Sequence, residues 1–194
     1  APVMAGKGRE TGGKPAGIPP LTDEQNRFLA DCIRELLEEV PLDRMESFLQ
    51  HGDTSCLRHC VSVAWLSYRM SRRFRRPCDA RSLIRGAMLH DFFLYDWHER
   101  HGGHRWHGFT HPGTALENAR LLLALNPVER NIILRHMWPL TPIPPRCREA
   151  WLVCLADKIC SLRETARLRP YALKPLYAAS GITARLARRE TRPV

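Results

Sequence analysis

Residues 79–91 read Asp-Ala-Arg-Ser-Leu-Ile-Arg-Gly-Ala-Met-Leu-His-Asp, and this stretch decides the fold class. Its apolar residues recur at the three- and four-residue spacing of one helix face, while its two arginines fall on the polar side. Asp79 is a residue type that caps the first turn of a helix. The pattern predicts a helix that ends near the dipeptide His90-Asp91.

Most of the remaining chain has the same helical period. Further helices are predicted to begin at Thr22, where Gln25 closes a capping box, at Thr54, at Thr110 and at the pair Asn126-Pro127. A short helix is expected after Pro41, and a helix packed on several sides is expected over residues 146–168. No sustained alternation bounded by hairpin turns indicates strands. We therefore predict an all-α, single-domain helical bundle over residues 21–168.

The two ends of the chain differ from its middle. Residues 1–20 are rich in glycine and proline and poor in large apolar residues, so we expect a disordered leader. Residues 169–194 are predicted to form a basic C-terminal tail that is partly helical. The 194 residues leave room for one domain with a substantial core.

The net charge of +10 is concentrated at these ends. Residues 1–20 carry +2 and residues 167–194 carry +6, which leaves +2 for residues 21–166. A protein that reads nucleic acid needs lysine and arginine clustered on a folded face. The distribution therefore argues against a dedicated nucleic-acid surface, although the ends can attract anionic partners weakly.

Cysteine usage and hydropathy indicate the compartment. The seven cysteines are an odd number and form no Cys-x-x-Cys pair, which is typical of reduced thiols in a core. No apolar run is long enough to span a membrane, and the polar start does not resemble a secretory signal. We expect a cytoplasmic protein without a membrane segment.

Several ionisable residues fall on or near the apolar faces of different predicted helices. They are His59, His90, Asp91, His111, His136 and Asp157. Burying this many carboxylates and imidazoles is costly unless a cation or a metal compensates them. Imidazole and carboxylate without thiolate favour iron, manganese or zinc over an all-oxygen calcium or magnesium cage. The set predicts a divalent transition metal.

Each residue also has a structural interpretation when it is taken singly. A lone histidine on an apolar helix face is more often a hydrogen-bonded core residue than a ligand. Asp157 can pair with Lys158 or Arg163, and His90-Asp91 is a common dipeptide. The metal hypothesis therefore depends on the ordered set.

That ordered set resembles the HD-domain metal-dependent phosphohydrolases over residues 54–167. The matching segments are Arg58-His-Cys-Val-Ser-Val-Ala64, Arg85-Gly-Ala-Met-Leu-His-Asp91 and Leu155-Ala-Asp-Lys158. The resemblance implies an HD-type helical domain in which His59, His90, Asp91 and Asp157 hold one metal. His111, in Thr110-His-Pro-Gly113, and His136 match the additional histidines of the dinuclear subgroup. Two ions bridged by Asp91 are then expected.

The sequence departs from the family at two places. Met137 stands where the cyclic-dinucleotide phosphodiesterases of this family carry a second adjacent histidine, and no Gly-Tyr-Pro signature follows. Phe92-Phe93-Leu94 follows the HD pair where many members have a lysine that approaches phosphate. The first departure argues against that activity, and the second requires positive charge from elsewhere.

The expected activity is hydrolysis of a nucleotide or other small phosphate ester by a metal-activated hydroxide, with Asp91 as the catalytic ligand. Lys158 and Arg163 are candidates for neutralising phosphate, although both also suit a solvated helix flank. His107 ends an aromatic and histidine-rich stretch, residues 95–107, that is a candidate substrate-contacting loop. The stretch is also typical of a solvated loop or of a separate metal site.

Two other classes of function are compatible with the sequence. Some proteins that resemble this dinuclear arrangement use paired irons to activate oxygen on a small organic substrate. A non-catalytic HD-fold binding module that engages an anionic partner through its C-terminal arginines is the second alternative. A homo-oligomer, formed through the first helix or the C-terminal tail, is compatible with the pattern as well.

Overall fold

The computed structural model of the protein describes residues 18–74, 76–94 and 107–190. Within these residues the chain is mostly helical, and the predicted all-α class is confirmed. The α-helices are α1 (Asp23–Glu39), α2 (Cys56–Ser71), α3 (Ala80–Leu89), α4 (His107–Leu122), α5 (Pro127–Arg135), α6 (Arg148–Thr165), α7 (Lys174–Ala179) and α8 (Ile182–Glu190). A 3₁₀ helix spans Leu42–Ser47.

Three of the helix starts that the sequence marks with capping residues are confirmed. Thr22 and Gln25 form the capping box of α1, and Asn126 and Glu129 form that of α5. Asp79 accepts a hydrogen bond from the backbone N–H of Ser82 at 3.0 Å and so caps α3. Each cap satisfies amide groups that have no partner inside the helix.

The structure differs from the prediction around α2 and α4. A short antiparallel hairpin, β1 (Leu49–His51) and β2 (Thr54–Ser55), precedes α2, and Ser55 rather than Thr54 caps that helix. Strands of three and two residues are too short to show alternation. Helix α4 begins at His107, one turn before the start predicted at Thr110, so Pro112 lies inside it.

Four helices form the centre of the packing. Helix α2 packs against α3 and α6, and α5 packs against both of them from the other side. Helix α1 covers α3, and α4 packs on α5. Leu57, Met88 and Ile133 are fully buried between these helices, and each such side chain stabilises the fold by about 1.5–3 kcal/mol. The core therefore surrounds the ends of α3 and α5.

Most of the cysteines lie in the core formed by these helices. All seven are free thiols, and five of them are buried. Cys78 and Cys147 are only partly buried. Most of the cysteines are therefore free thiols in the core, as the sequence predicts.

The segments outside residues 21–168 also contact the bundle where the structure describes them. Arg69 donates hydrogen bonds to the carbonyl oxygens of Ile18 and Pro19, in the last part of the predicted leader. Leu173, Leu176 and Ile182 are buried, so α7 and α8 pack on α1 and the 3₁₀ helix. The described part of the predicted C-terminal tail is thus packed on the bundle. No helix in the described ranges has the length and apolar character needed to cross a membrane.

Candidate metal centre

The end of α3 approaches the end of α5 because Gly86 carries no side chain. A Cβ atom at this position would lie 2.5 Å from Cδ1 of Ile132. His90 follows α3 and His136 follows α5, each at the C-terminal cap. The close contact brings their imidazole rings to a centroid distance of 4.8 Å.

The structure brings all six predicted metal ligands together in the core. His59 lies in α2, His90 and Asp91 at the end of α3, and the others in or after α4, α5 and α6. Their exposed fractions are 0 % for His59 and His90, 1 % for Asp91 and His136, 2 % for His111 and 5 % for Asp157. Within this cluster, two overlapping groups have ligand atoms within 4.8 Å of one another: His59, His90 and Asp157, and His90, Asp91 and His136.

Asp91 lies between two sets of imidazoles. Its Oδ2 atom is 3.8 Å from Nε2 of His59 and 3.4 Å from Nε2 of His90. Its Oδ1 atom is 3.1 Å from Nε2 of His111 and 3.6 Å from Nε2 of His136. The two carboxylate oxygens therefore face different sets of nitrogen atoms, which is the arrangement a bridging ligand requires.

The second carboxylate lies on one side of this cluster. Oδ1 of Asp157 is 3.1 Å from Nε2 of His59 and 3.9 Å from Nε2 of His90. His111 and His136 lie on the other side, with their Nε2 atoms 2.8 Å apart. One side thus offers two imidazoles and Asp157, and the other offers two imidazoles, with Asp91 in common.

Three of the histidines are held through the nitrogen that faces away from the cluster. Nδ1 of His59 lies 2.8 Å from Oε2 of Glu164, Nδ1 of His90 lies 2.7 Å from the Ala87 carbonyl, and Nδ1 of His136 lies 2.8 Å from the Ile133 carbonyl. In a neutral ring, an Nδ1–H that donates to these oxygens leaves the Nε2 lone pair pointing inward. Metal-binding histidines are oriented in this way.

Two buried atoms of the cluster lack a hydrogen-bond partner among the described residues. They are Nε2 of His90 and Oδ1 of Asp91. An unsatisfied buried polar group costs about 1–3 kcal/mol. A bound cation would give both atoms a partner, so the donor set fits a divalent metal.

The carboxyl groups and imidazoles of the cluster shift one another's pKa. Burial opposes ionisation of both carboxyls, but His90 and His111 hold the pKa of Asp91 well below its usual value, and His59 and Lys158 do the same for Asp157. Burial also opposes protonation of His59, yet Asp157 and Glu164 raise its pKa well above the usual value. Two ionised carboxylates are therefore buried together, and His59 and Lys158 supply positive charge beside Asp157. A divalent cation bound between the carboxylates would fill the same role.

His136 is held neutral by its surroundings. Burial and the positive charge of neighbouring His90 lower its pKa to about 3. A neutral imidazole has a lone pair available for a metal. His136 is thus in the protonation state that a ligand needs.

Two residues of the site are not among the sequence predictions. Gln50, from β1, donates a hydrogen bond from Nε2 to Oδ2 of Asp91 at 2.5 Å and is buried. Glu164, from α6, orients the ring of His59 through its contact with Nδ1. Glu164 follows Asp157 by seven residues, so helical spacing could have placed it on the same face. Gln50 has no comparable signal, because the hairpin brings it to the site.

The three predicted substrate-binding residues have different positions. Nζ of Lys158 lies 2.8 Å from the His136 carbonyl and 2.9 Å from Oδ2 of Asp157, at the edge of the cluster. Arg163 stacks on the ring of Tyr171 and donates to the carbonyl of Arg169, away from the metal ligands. The side chain of His107, like residues 95–106, lies outside the described part of the chain. Substrate binding by all three stays a prediction.

The fold and the site together define a mostly helical protein with a buried histidine and aspartate cluster that could hold metal. Comparison of the chain with protein-family models, curated proteins and solved structures finds no match in any of the three.

Proposed function

We propose that the protein is an HD-type, metal-dependent phosphohydrolase that acts on a nucleotide or another small phosphate ester. The observation that carries this proposal is the position of Asp91, whose two carboxylate oxygens face two separate sets of buried histidines. The order of the six residues along the chain supports the HD-type assignment.

The residues divide into two ligand sets. His59, His90 and Asp157 would hold one ion, and His111 and His136 would hold the other, with Asp91 shared. Imidazole and carboxylate ligands suit iron, manganese or zinc. Two such ions supply Lewis acidity, which lowers the pKa of water and offsets the charge of a phosphate ester.

The chain's own residues have distinct roles in this proposal. Glu164 fixes the ring of His59, and Gln50 fixes Oδ2 of Asp91, so the ligand set is preorganised. Lys158 is 39 % exposed at its side chain while its Nζ atom lies 2.9 Å from Asp157. It therefore joins the buried cluster to the surface, where it can neutralise an incoming phosphate.

A metal-loaded sample tests the reaction class. The protein, reconstituted anaerobically with Mn²⁺ or Fe²⁺, is incubated with a panel of nucleotides and small phosphate esters, and phosphate release is measured. We expect release by the wild type and loss of at least about a hundredfold in His136→Gln, because one of the two ions loses a ligand. Asp31→Asn, at an exposed carboxylate on α1, is the control and should match the wild type.

The same sample distinguishes the alternatives. Absence of phosphate release across the panel, combined with iron-dependent oxygen consumption, would show that the diiron oxygenase is the correct assignment. If the protein shows neither phosphate release nor oxygen consumption and also binds no metal, the non-catalytic binding module is the correct assignment.

A further inference from the structure

We propose that a cavity separate from the metal centre binds a small organic anion that has an apolar body. The cavity lies between α2, the C-terminal end of α6 and the helices α7 and α8, and its volume is about 970 Å³. Ligand pockets of proteins measure about 300–1,000 Å³, so a small organic molecule fits. None of the six candidate metal ligands lines it.

The floor of this cavity is apolar. Leu57, Leu173 and Ile182 line it and are buried, and the partly buried rings of Tyr171 and Tyr177 add aromatic surface. Such walls favour an aliphatic or aromatic group over a fully hydrated ion. The body of the ligand is therefore expected to be apolar.

The rim of the cavity is cationic. Arg167, Arg169 and Lys174 line it and are exposed, and their charged groups make no ion pair or hydrogen bond with the part of the chain that the structure describes. Two other cations of the wall are already engaged, since Arg58 pairs with Glu46 at 2.9 Å and Arg163 stacks on Tyr171.

The acidic groups of the wall do not balance this charge. Glu46 accepts hydrogen bonds from Arg58 and Ser55, and Glu164 is engaged by His59. Asp53, on the hairpin, is the third acid of the lining. Five cations against three acids leave the cavity positive, which complements a carboxylate, sulfonate or phosphate group.

The backbone at Arg167 supports a functional role for its side chain. Arg167 has φ of 50° in the left-handed region, where the N–H groups of Arg167 and Leu168 close the end of α6 on the carbonyls of Glu164 and Arg163. Glycine is the usual residue at this position of a helix end. An arginine there costs about 1 kcal/mol of backbone strain, and Arg167 lines the cavity.

Fluorescence titration of the full chain tests the proposal. The probes are anilinonaphthalene sulfonate, an aromatic anion, and phenylnaphthylamine, its uncharged counterpart. We expect the anionic probe to bind at least about tenfold more tightly than the uncharged probe. The double variant Arg167→Gln with Arg169→Gln should lower the affinity for the anionic probe about tenfold or more, since charged hydrogen bonds are lost. Chelation with EDTA should leave this binding unchanged, so the result does not depend on the metal proposal.

The control is a double variant with the same change in charge, Arg72→Gln with Arg76→Gln, at exposed positions that do not line the cavity. It should bind the anion as the wild type does. Equal affinity for the two probes, or equal loss in the two double variants, would overturn the proposal, because the anion would then bind a general apolar or charged surface.

Discussion

Nδ1 of His59 lies 2.8 Å from a carboxylate oxygen of Glu164, about two turns beyond Asp157 on the same helix. The contact fixes the ring so that Nε2 faces Asp157 and Asp91. Two side chains of α6 therefore contact the imidazole of His59. Glu164 orients the ring, and Asp157 lies beside Nε2, the nitrogen that faces the cluster.

The first prediction concerns this orientation. Glu164→Ala should weaken zinc binding about 10- to 100-fold, because the His59 ring loses the partner that sets its tautomer and position. Glu164→Gln, which retains an acceptor oxygen, should have a smaller effect. Competition with a chromophoric zinc chelator measures the affinity. Glu38→Gln, at an exposed position of α1, is the matched control and should leave affinity unchanged.

The second prediction concerns the contact between α3 and α5. Gly86→Ala should destabilise the protein by about 1–3 kcal/mol in urea unfolding, because the new methyl group meets Ile132. Gly113→Ala in α4 is the control: a Cβ there meets nothing within 4 Å, and alanine favours a helix by up to about 1 kcal/mol.

A double variant separates this clash from the general cost of a substitution. In Gly86→Ala with Ile132→Ala, the methyl group gains the space that the isoleucine side chain vacates. The double variant should therefore be more stable than the sum of the two single effects predicts. Strict additivity would contradict the explanation by close helix contact.

The third prediction compares a buried ion pair with an exposed one. Arg85 of α3 donates to Glu129 of α5 at 2.8 Å, and the Glu129 side chain is 3 % exposed. Glu129→Ala should cost about 3–5 kcal/mol, since it leaves a mostly buried guanidinium group short of a partner and breaks the α5 capping box. Glu117→Ala, in the exposed pair with Arg120, should cost less than about 1 kcal/mol. Equal losses of the free energy of unfolding would show that burial is not the cause.

The fourth prediction concerns metal and stability. A ligand at about a hundredfold excess over its Kd stabilises the native state by about 2.7 kcal/mol, which corresponds to a rise in Tm of about 5–10 °C for a chain of this size. Zn²⁺ added to chelator-treated protein should produce such a rise, and EDTA should reverse it. His111→Gln should reduce the shift, because one ligand set is incomplete. An unchanged shift in that variant would place the bound metal elsewhere.

The sequence predicts the helical class and much of the candidate site for a common physical reason. Helix caps such as Thr22 and Asn126 are local, and apolar periodicity shows which residues face inward. His59 and His136 could therefore be placed on buried faces without any knowledge of the tertiary contacts. The order of the six candidate ligands along the chain predicts that these histidines meet Asp91. The packing of α2, α3, α5 and α6 brings them together.

Other features depend on tertiary packing and carry no local signal. The hairpin that holds Gln50 has strands too short for a period, and its approach to Asp91 depends on how it packs against α2. The contact of Arg163 with the ring of Tyr171 has no sequence signal either. It depends on how the chain after α6 folds back, together with α7 and α8, to line the cavity. Burial of Ile182 in turn depends on contacts with residues far away in sequence.

The central claim is that Asp91 joins two metal sites, and metal stoichiometry tests it most directly. Elemental analysis of wild-type protein, reconstituted anaerobically and freed of excess metal, should give about two transition-metal ions per chain. Asp91→Asn, which keeps the side-chain shape, should retain at most about one, while Asp31→Asn retains both. A wild type without stoichiometric metal, or an Asp91→Asn variant that binds as much metal as the wild type, would contradict the claim.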